Sequence, residues 1–232
     1  MSTSAYLFQA TPMSNTAEPH AMPNTTGIIL HRPFFYDLMH WLRGGEQAFR
    51  EKTLDLAGPQ PGEWVLDVGC GTGTLAVAAK RRVGAAGAVY AIDASPEMIG
   101  RARKKARKNA VDVRFENAAV QKLPFPDGSF DAVLSTVMLH HLDRTARQQC
   151  LCEIRRVLKP GGRVLAVDFG ESSAKCRGFF GHFHRHGHVT FPELRAMLNE
   201  AGLKTVKSGT LGSLNLEFLL ARTPSCARTA PI

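Results

Sequence analysis

The sequence predicts an α/β protein built on a mostly parallel sheet, and three observations carry that expectation. An unbroken apolar run, Trp64–Val68, breaks into Gly69-Cys70-Gly71-Thr72-Gly73 and then into helix-like residues 75–80. Such a run suits a strand buried on both faces, as in a parallel sheet covered by helices on both sides. A second apolar run at 88–92 ends in Asp93, and Ser95-Pro96 then supplies a helix N-cap and first turn. From Trp64 onward strand-like and helix-like segments alternate, which is the pattern of βαβ units.

The glycine loop reads as a cofactor cradle. Its order, Asp67-x-Gly69-x-Gly71-x-Gly73, differs from the usual dinucleotide fingerprint, whose third glycine follows the second by three residues. An acid placed before the first glycine repels a pyrophosphate but pairs with an ammonium group. Asp93, at the tip of the second strand, is placed to accept hydrogen bonds from ribose hydroxyls. Ammonium plus ribose describes S-adenosyl-L-methionine.

Here the sequence resembles the class I S-adenosylmethionine-dependent methyltransferases over about residues 34–208. Residues 65–73 are similar to that family's first motif, and 91–98 to its second. Leu123-Pro124-Phe125-Pro126-Asp127-Gly128-Ser129-Phe130-Asp131 resembles the stretch before strand four, and 158–162 the turn before strand five. Tyr36-Asp37-Leu38-Met39 and the Leu-Pro-Phe-Pro-Asp stretch resemble the ubiquinone/menaquinone-biosynthesis C-methyltransferase type and its relatives with small-molecule acceptors. The resemblance implies a three-layer, doubly wound, seven-stranded Rossmann-like sheet whose last two strands form an antiparallel pair at one edge. It also implies methyl transfer to a carbon, oxygen or nitrogen atom of a small molecule. Asp67, Gly69, Cys70, Gly71 and Gly73 would hold the methionine end, Asp93 the ribose, Ala94 and Met98 the adenine site, and Ser135 would border the reaction centre. Where many relatives carry an Asp for the adenine amino group, this chain has Ala119. Adenine recognition then falls to backbone groups near Ala119 and Val120, with Asn117 a displaced candidate.

The remaining elements follow in order. Residues 1–27 contain no Lys or Arg and are rich in Ser, Thr, Asn and Pro, as in a flexible tail and unlike a signal or transit peptide. Residues 28–60 place Phe34, Phe35, Tyr36, Leu38, Met39, Trp41 and Leu42 at helical spacing, a helical cap. In the family this region lids the substrate pocket, so Tyr36 is a candidate contact for the cofactor or the acceptor. The main domain is expected over 61–222, with Asn109 ending the second helix, a third strand at 111–115 and a fourth at 130–135. Thr136 to Leu142 then face the pocket, because ligands bind outside the carboxyl ends of the strands. His140 and His141 lie there, suited to proton transfer near neutral pH or to holding the loop. A helix over 143–158, a Lys-Pro-Gly-Gly stop and a fifth strand at 163–168 come next.

Residues 170–189 form a long connection with Phe179, Phe180, Phe183 and four alternating histidines from His182 to His188. No recognised zinc spacing occurs, so an acceptor-binding or lid loop is expected and no metal. Thr190-Phe191-Pro192-Glu193 is a capping box, Gly202 ends that helix, and the last strands are expected at 203–207 and 214–221, before a polar tail at 223–232.

Composition bounds the partners. The chain has 232 residues, 44% hydrophobic, enough for one domain with a full core. Five scattered cysteines suggest a reducing compartment, the cytoplasm, and no apolar stretch approaches the roughly 20 residues of a membrane span. The formal net charge is +9, concentrated partly in residues 101–108. That run lacks interleaved aromatics for base stacking and suits a solvated helix end, leaving peripheral contact with an anionic surface open. RNA or phospholipid-headgroup methylation, a nicotinamide oxidoreductase and a non-catalytic cofactor-binding protein stay as alternatives, and the oligomeric state stays open.

Overall fold

The computed structural model describes residues 46–170, 190–211 and 216–225. Seven strands form one sheet: β1 (Trp64–Val68), β2 (Ala88–Asp93), β3 (Arg114–Asn117), β4 (Phe130–Thr136), β5 (Leu158–Phe169), β6 (Lys204–Leu211) and β7 (Leu216–Arg222). Their order is β3-β2-β1-β4-β5-β7-β6; β3 through β5 pair in parallel, and β7 is antiparallel to both β5 and β6. The helices are α1 (Glu46–Ala57), α2 (Thr74–Val83), α3 (Pro96–Lys108), α4 (Arg144–Val157) and α5 (Phe191–Glu200). None of the described helices is long and apolar enough to cross a membrane.

Alternation along the strands explains the three layers. Val65 packs with Leu54 of α1, Val77 of α2 and Ala102 of α3, whereas Leu66 and Val68 pack with Leu151 of α4 and Leu198 of α5. Successive side chains of a strand point to opposite faces, so one five-residue strand serves both cores. The strand order reverses between β1 and β4, and their carboxyl ends form the switch point at which such sheets bind ligands.

The expected caps are present, with Ser95 Oγ accepting the Met98 N–H and Thr190 with Glu193 completing a capping box; Asp143 Oδ1, not singled out from sequence, caps α4 by accepting the Ala146 N–H. The basic end of α3 is partly structural, since the Lys105 ammonium bonds the hydroxyls of Thr72 and Thr74 and Arg103 donates to the Phe115 carbonyl. Cys150 is buried and Cys152 exposed, as their spacing on a helix requires.

Several boundaries differ from the sequence expectation, among them the sixth strand, which runs on to Leu211 and not only to residue 207. The third strand begins at Arg114, not at residue 111, because the Val111 N–H still closes the end of α3 on the Ala106 carbonyl. The Lys159-Pro160-Gly161-Gly162 stop lies inside β5, with a register shift against β4 between Phe130 and Ala132. Thr223, expected to open a polar tail, is buried, with its N–H on the Gly162 carbonyl and its hydroxyl on that of Lys159.

The Leu-Pro-Phe-Pro-Asp stretch is pinned from α4. Glu153 accepts the Leu123 N–H at 2.7 Å, and Arg156 donates to the carbonyls of Leu123 and Phe125 and to Asp127. Phe125 and Phe130 then meet edge to face with centroids 5.1 Å apart. Buried Arg163 similarly ties β5 to Glu63 and to the carbonyls of Ala57 and Gly58 at the end of α1.

Candidate functional site

The chain leaves β1 through Gly69, Gly71 and Gly73, all with left-handed φ of 71°, 52° and 74°. The Gly69 and Cys70 N–H groups both donate to the Ile92 carbonyl at 2.9 Å, which folds the loop back over β2. A side chain at Gly69 would meet Met138 Cγ at 2.2 Å, and one at Gly73 would meet Phe115 and Ala102 below 3.0 Å. Those two glycines are thus required by packing within the protein. Gly71 is different, because a Cβ there meets nothing within 4 Å. The loop is closed on the core at its first and third glycines and open at the middle one, where a ligand can approach the backbone.

Asp93 holds this opening in place. Its Oδ2 accepts the Gly71 N–H at 2.8 Å and its Oδ1 the Ser95 N–H at 2.9 Å, so the acid at the tip of β2 joins the glycine loop to the start of α3. Burial raises its pKa, and the two N–H donors oppose the shift. Each carboxylate oxygen keeps a lone pair free for a hydroxyl. Ala94 is half-buried beside it, and Met98 is buried in the first turn of α3.

Asp67 is wholly buried, and neither of its carboxyl oxygens has a hydrogen-bond partner among the described residues. Burial first, then the charge of Asp93, pushes its pKa up to about 7, against opposing influences from Arg50 and the Ala76 N–H. An unpartnered buried carboxyl carries a desolvation penalty that a cationic ligand group removes. This residue fits the ammonium of S-adenosylmethionine. Cys70 feels both acids; burial and then the charges of Asp67 and Asp93 raise its thiol pKa, so it stays protonated. Ser135 Oγ, at the end of β4 opposite Val68, is also buried without a described partner.

The residues expected to border adenine are less polar. Val120 is buried in the core with Leu123 and Phe125, and Ala119 is half-buried with its carbonyl accepting the Lys122 N–H. Asn117 turns its amide to the Asp93 carbonyl at 2.8 Å, so it serves the β2–β3 junction.

Beyond β4 the backbone enters Val137 at φ 53°, an uncommon conformation for a β-branched residue, held by the Val137 N–H on the Val167 carbonyl at 2.8 Å. Leu139–His141 form a single 3₁₀ turn. His140 Nδ1 lies 2.7 Å from Asp168 Oδ1, and the His140 N–H donates to Asp168 Oδ2 at 3.1 Å. Asp168 is 1% exposed. His141 stacks on His140 with centroids 3.9 Å apart; burial and then the His140 charge lower its pKa to about 4, with Asp168 opposing. The histidines thus separate in character: His140 is paired to a buried acid, and His141 is a neutral neighbour. Asp168 was absent from the sequence reading except as the end of strand five. The available signal was its place, an acid closing an apolar strand as Asp93 does.

Tyr36 and the histidines from 182 to 188 lie outside the described residues. No group of three or more potential metal ligands occurs among the described residues.

Comparison with known proteins agrees with this geometry. Residues 65–162 match a family described as a methyltransferase domain. The chain is 39% identical over 147 residues to the ubiquinone/menaquinone biosynthesis C-methyltransferase UbiE of Azotobacter vinelandii, covering 62% of this chain and 57% of that protein. It is 38% identical over 152 residues to a demethylmenaquinone methyltransferase of Thermus thermophilus, covering 65% and 66%. The chain therefore spans little more than half the length of the first of these relatives. A crystal structure of a SAM-dependent methyltransferase from Aquifex aeolicus superposes with TM-score 0.64 at 27% identity, over 75% of this chain and 88% of that one. With its sheet order, its glycine loop and these similarities, the described fold is that of the class I S-adenosylmethionine-dependent methyltransferases, and residues 65–162 match their methyltransferase domain.

Proposed function

We propose that the protein transfers a methyl group from S-adenosylmethionine to a small aromatic acceptor of the quinone-precursor type. The observation that carries the cofactor reading is Asp67, a buried carboxyl without a described partner beside an open glycine. The acceptor class rests on the activities for which the relatives at 38–39% identity are named.

The sulfonium of the bound cofactor supplies a methyl carbon that is already electrophilic, which leaves the protein to bind, align and move a proton. Asp67 takes the ammonium and Gly71 allows the backbone to approach it. Asp93 accepts from the ribose hydroxyls while keeping the loop closed. Adenine is bounded by Ala94, Met98, Ala119 and Val120, and backbone groups near Ala119 satisfy its polar edge. At the acceptor side, Asp168 holds Nδ1 of His140 and so fixes which ring nitrogen is available. His140 Nε2 then removes the acceptor's proton, and His141 keeps the adjoining wall uncharged. Residues 28–60, Tyr36 among them, are assigned as a cap and 170–189 as a lid, because the latter leave β5 next to Asp168. Free Cys70, Cys150 and Cys152 suit the reducing cytoplasm.

The test is calorimetry with S-adenosylmethionine, followed by incubation with demethylated quinols, phenols, amines, phospholipid headgroups and RNA, with mass detection of a one-methyl gain. Methylation of a quinol ring carbon supports the full reading. Cofactor binding with gain only on another substrate would replace the acceptor class, and no cofactor binding would overturn the proposal.

A further inference from the structure

We propose that Arg147 is the positioning residue that fixes His140 on Asp168, an inference that rests on the base role just given to His140. Arg147 lies in the first turns of α4 and is only 4% exposed, an unusual place for a guanidinium. Its Nε donates to the Leu139 carbonyl at 3.1 Å and its Nη2 to the Leu142 carbonyl at 2.7 Å. These two acceptors bracket His140 and His141. One planar fork therefore spans the 3₁₀ turn and sets its pitch against the helix.

The surroundings explain why an arginine serves here. Burial lowers the Arg147 pKa, and the carboxylates of Asp168 on β5, Glu193 in the first turn of α5 and Asp143 at the α4 N-cap oppose that, while Arg144 adds to the lowering. Its charge thus faces the same Asp168 that binds His140. A buried ionic arrangement of this kind is a weak contributor to stability but a strong constraint on geometry. The turn needs that constraint because the chain enters it through Val137, two residues earlier, in a conformation that persists only where the surroundings over-determine it. The Val167 carbonyl holds the turn at its start and Arg147 holds it at its end.

The substitutions Arg147→Lys, which keeps the charge and loses the fork, and Arg147→Met test this, alone and with His140→Gln. Turnover in Arg147→Lys is expected to fall about tenfold or more while cofactor affinity stays within about twofold, as for loss of a group serving proton transfer. In the His140→Gln background the same change is expected to lower turnover no further. Proton NMR of the full chain supplies a readout independent of turnover: the downfield resonance of the His140 ring N–H on Asp168 should broaden or move in Arg147→Lys. If His140→Gln alone leaves turnover intact, the base role fails, and a moved resonance still supports positioning. An unmoved resonance, or a loss equally large in the His140→Gln background, would overturn the proposal. If Arg147→Met does not fold, Arg147→Lys alone decides between these outcomes.

Discussion

Asp93 Oδ2 accepts the Gly71 N–H at 2.8 Å, so the acid read from sequence as a ribose ligand also holds the loop that forms the other half of the cofactor cradle. The proposed ribose contact and local folding share one carboxylate. The same residue reaches Ser95 with its second oxygen and thereby sets the entry of α3.

For Asp93 this predicts a graded pair of variants. Asp93→Ala should cost roughly 1.5–3 kcal/mol in cofactor binding and also lower the melting temperature by several degrees, because two backbone donors lose their acceptor. Asp93→Asn keeps one acceptor oxygen but sets its NH2 against the second backbone donor, so it should melt between Asp93→Ala and the parent while binding more weakly. Calorimetry and thermal melts of both variants check this, and an unchanged melting temperature in Asp93→Ala would remove the loop-holding role.

Asp67 gives a pH signature. Its folded pKa is raised from 3.8 to about 7, so ionisation opposes folding; the related stability is fully present below pH about 4 and is lost as pH rises through 7. Asp67→Asn should therefore raise the melting temperature of the unliganded protein at pH 8 and change it little at pH 4. Cofactor affinity should increase from pH 5.5 to 7.5 in the parent, as the carboxylate becomes available to the ammonium, and stay flat in the variant. Equal pH slopes in the two proteins would refute the ammonium assignment.

The glycines separate packing from binding. Gly71→Ala introduces a methyl into open space, with about 1–2 kcal/mol of left-handed strain, and should impair cofactor affinity well beyond its effect on melting. Gly69→Ala drives a Cβ into Met138 and should destabilise the fold itself by several kcal/mol. Parallel melts and calorimetry measure the ratio; similar affinity losses at matched stability would mean that Gly71 has no special exposure.

His140→Gln should reduce turnover about 10²- to 10⁴-fold with cofactor affinity nearly intact. His141→Gln should lose far less, since an imidazole whose pKa lies near 4 is a weak base at neutral pH. Single-turnover rates discriminate the two, and a larger loss at His141 would reverse the assignment.

Much of this was legible because it is written in local chemistry. The apolar run of β1, the glycine spacing, the Ser95 and Thr190 caps and the Pro-Gly punctuation each act within a few residues. The antiparallel pair at the edge came from resemblance, since no local signal orients β7 against β5. Asp168 and Arg147 escaped the sequence reading because their roles depend on partners 28 and 8 residues away. Gly69 and Gly71 look identical in sequence, and only the position of Met138 tells them apart.

The alternation of β1 and β5 has a consequence for how this scaffold changes over time. Asp67 follows Val65 onto the face under α2 and α3, while Asp168 follows Ala166 onto the face under α4 and α5. Under the proposed function, the group assigned to the cofactor's ammonium and the acid that holds the proposed base thus stand on opposite faces of one sheet. Under that reading, substitutions around α4 and α5 that spare Met138, the residue packed on Gly69, alter the acceptor side and leave the packing beneath the glycine loop in place, so acceptor and methyl source can change separately.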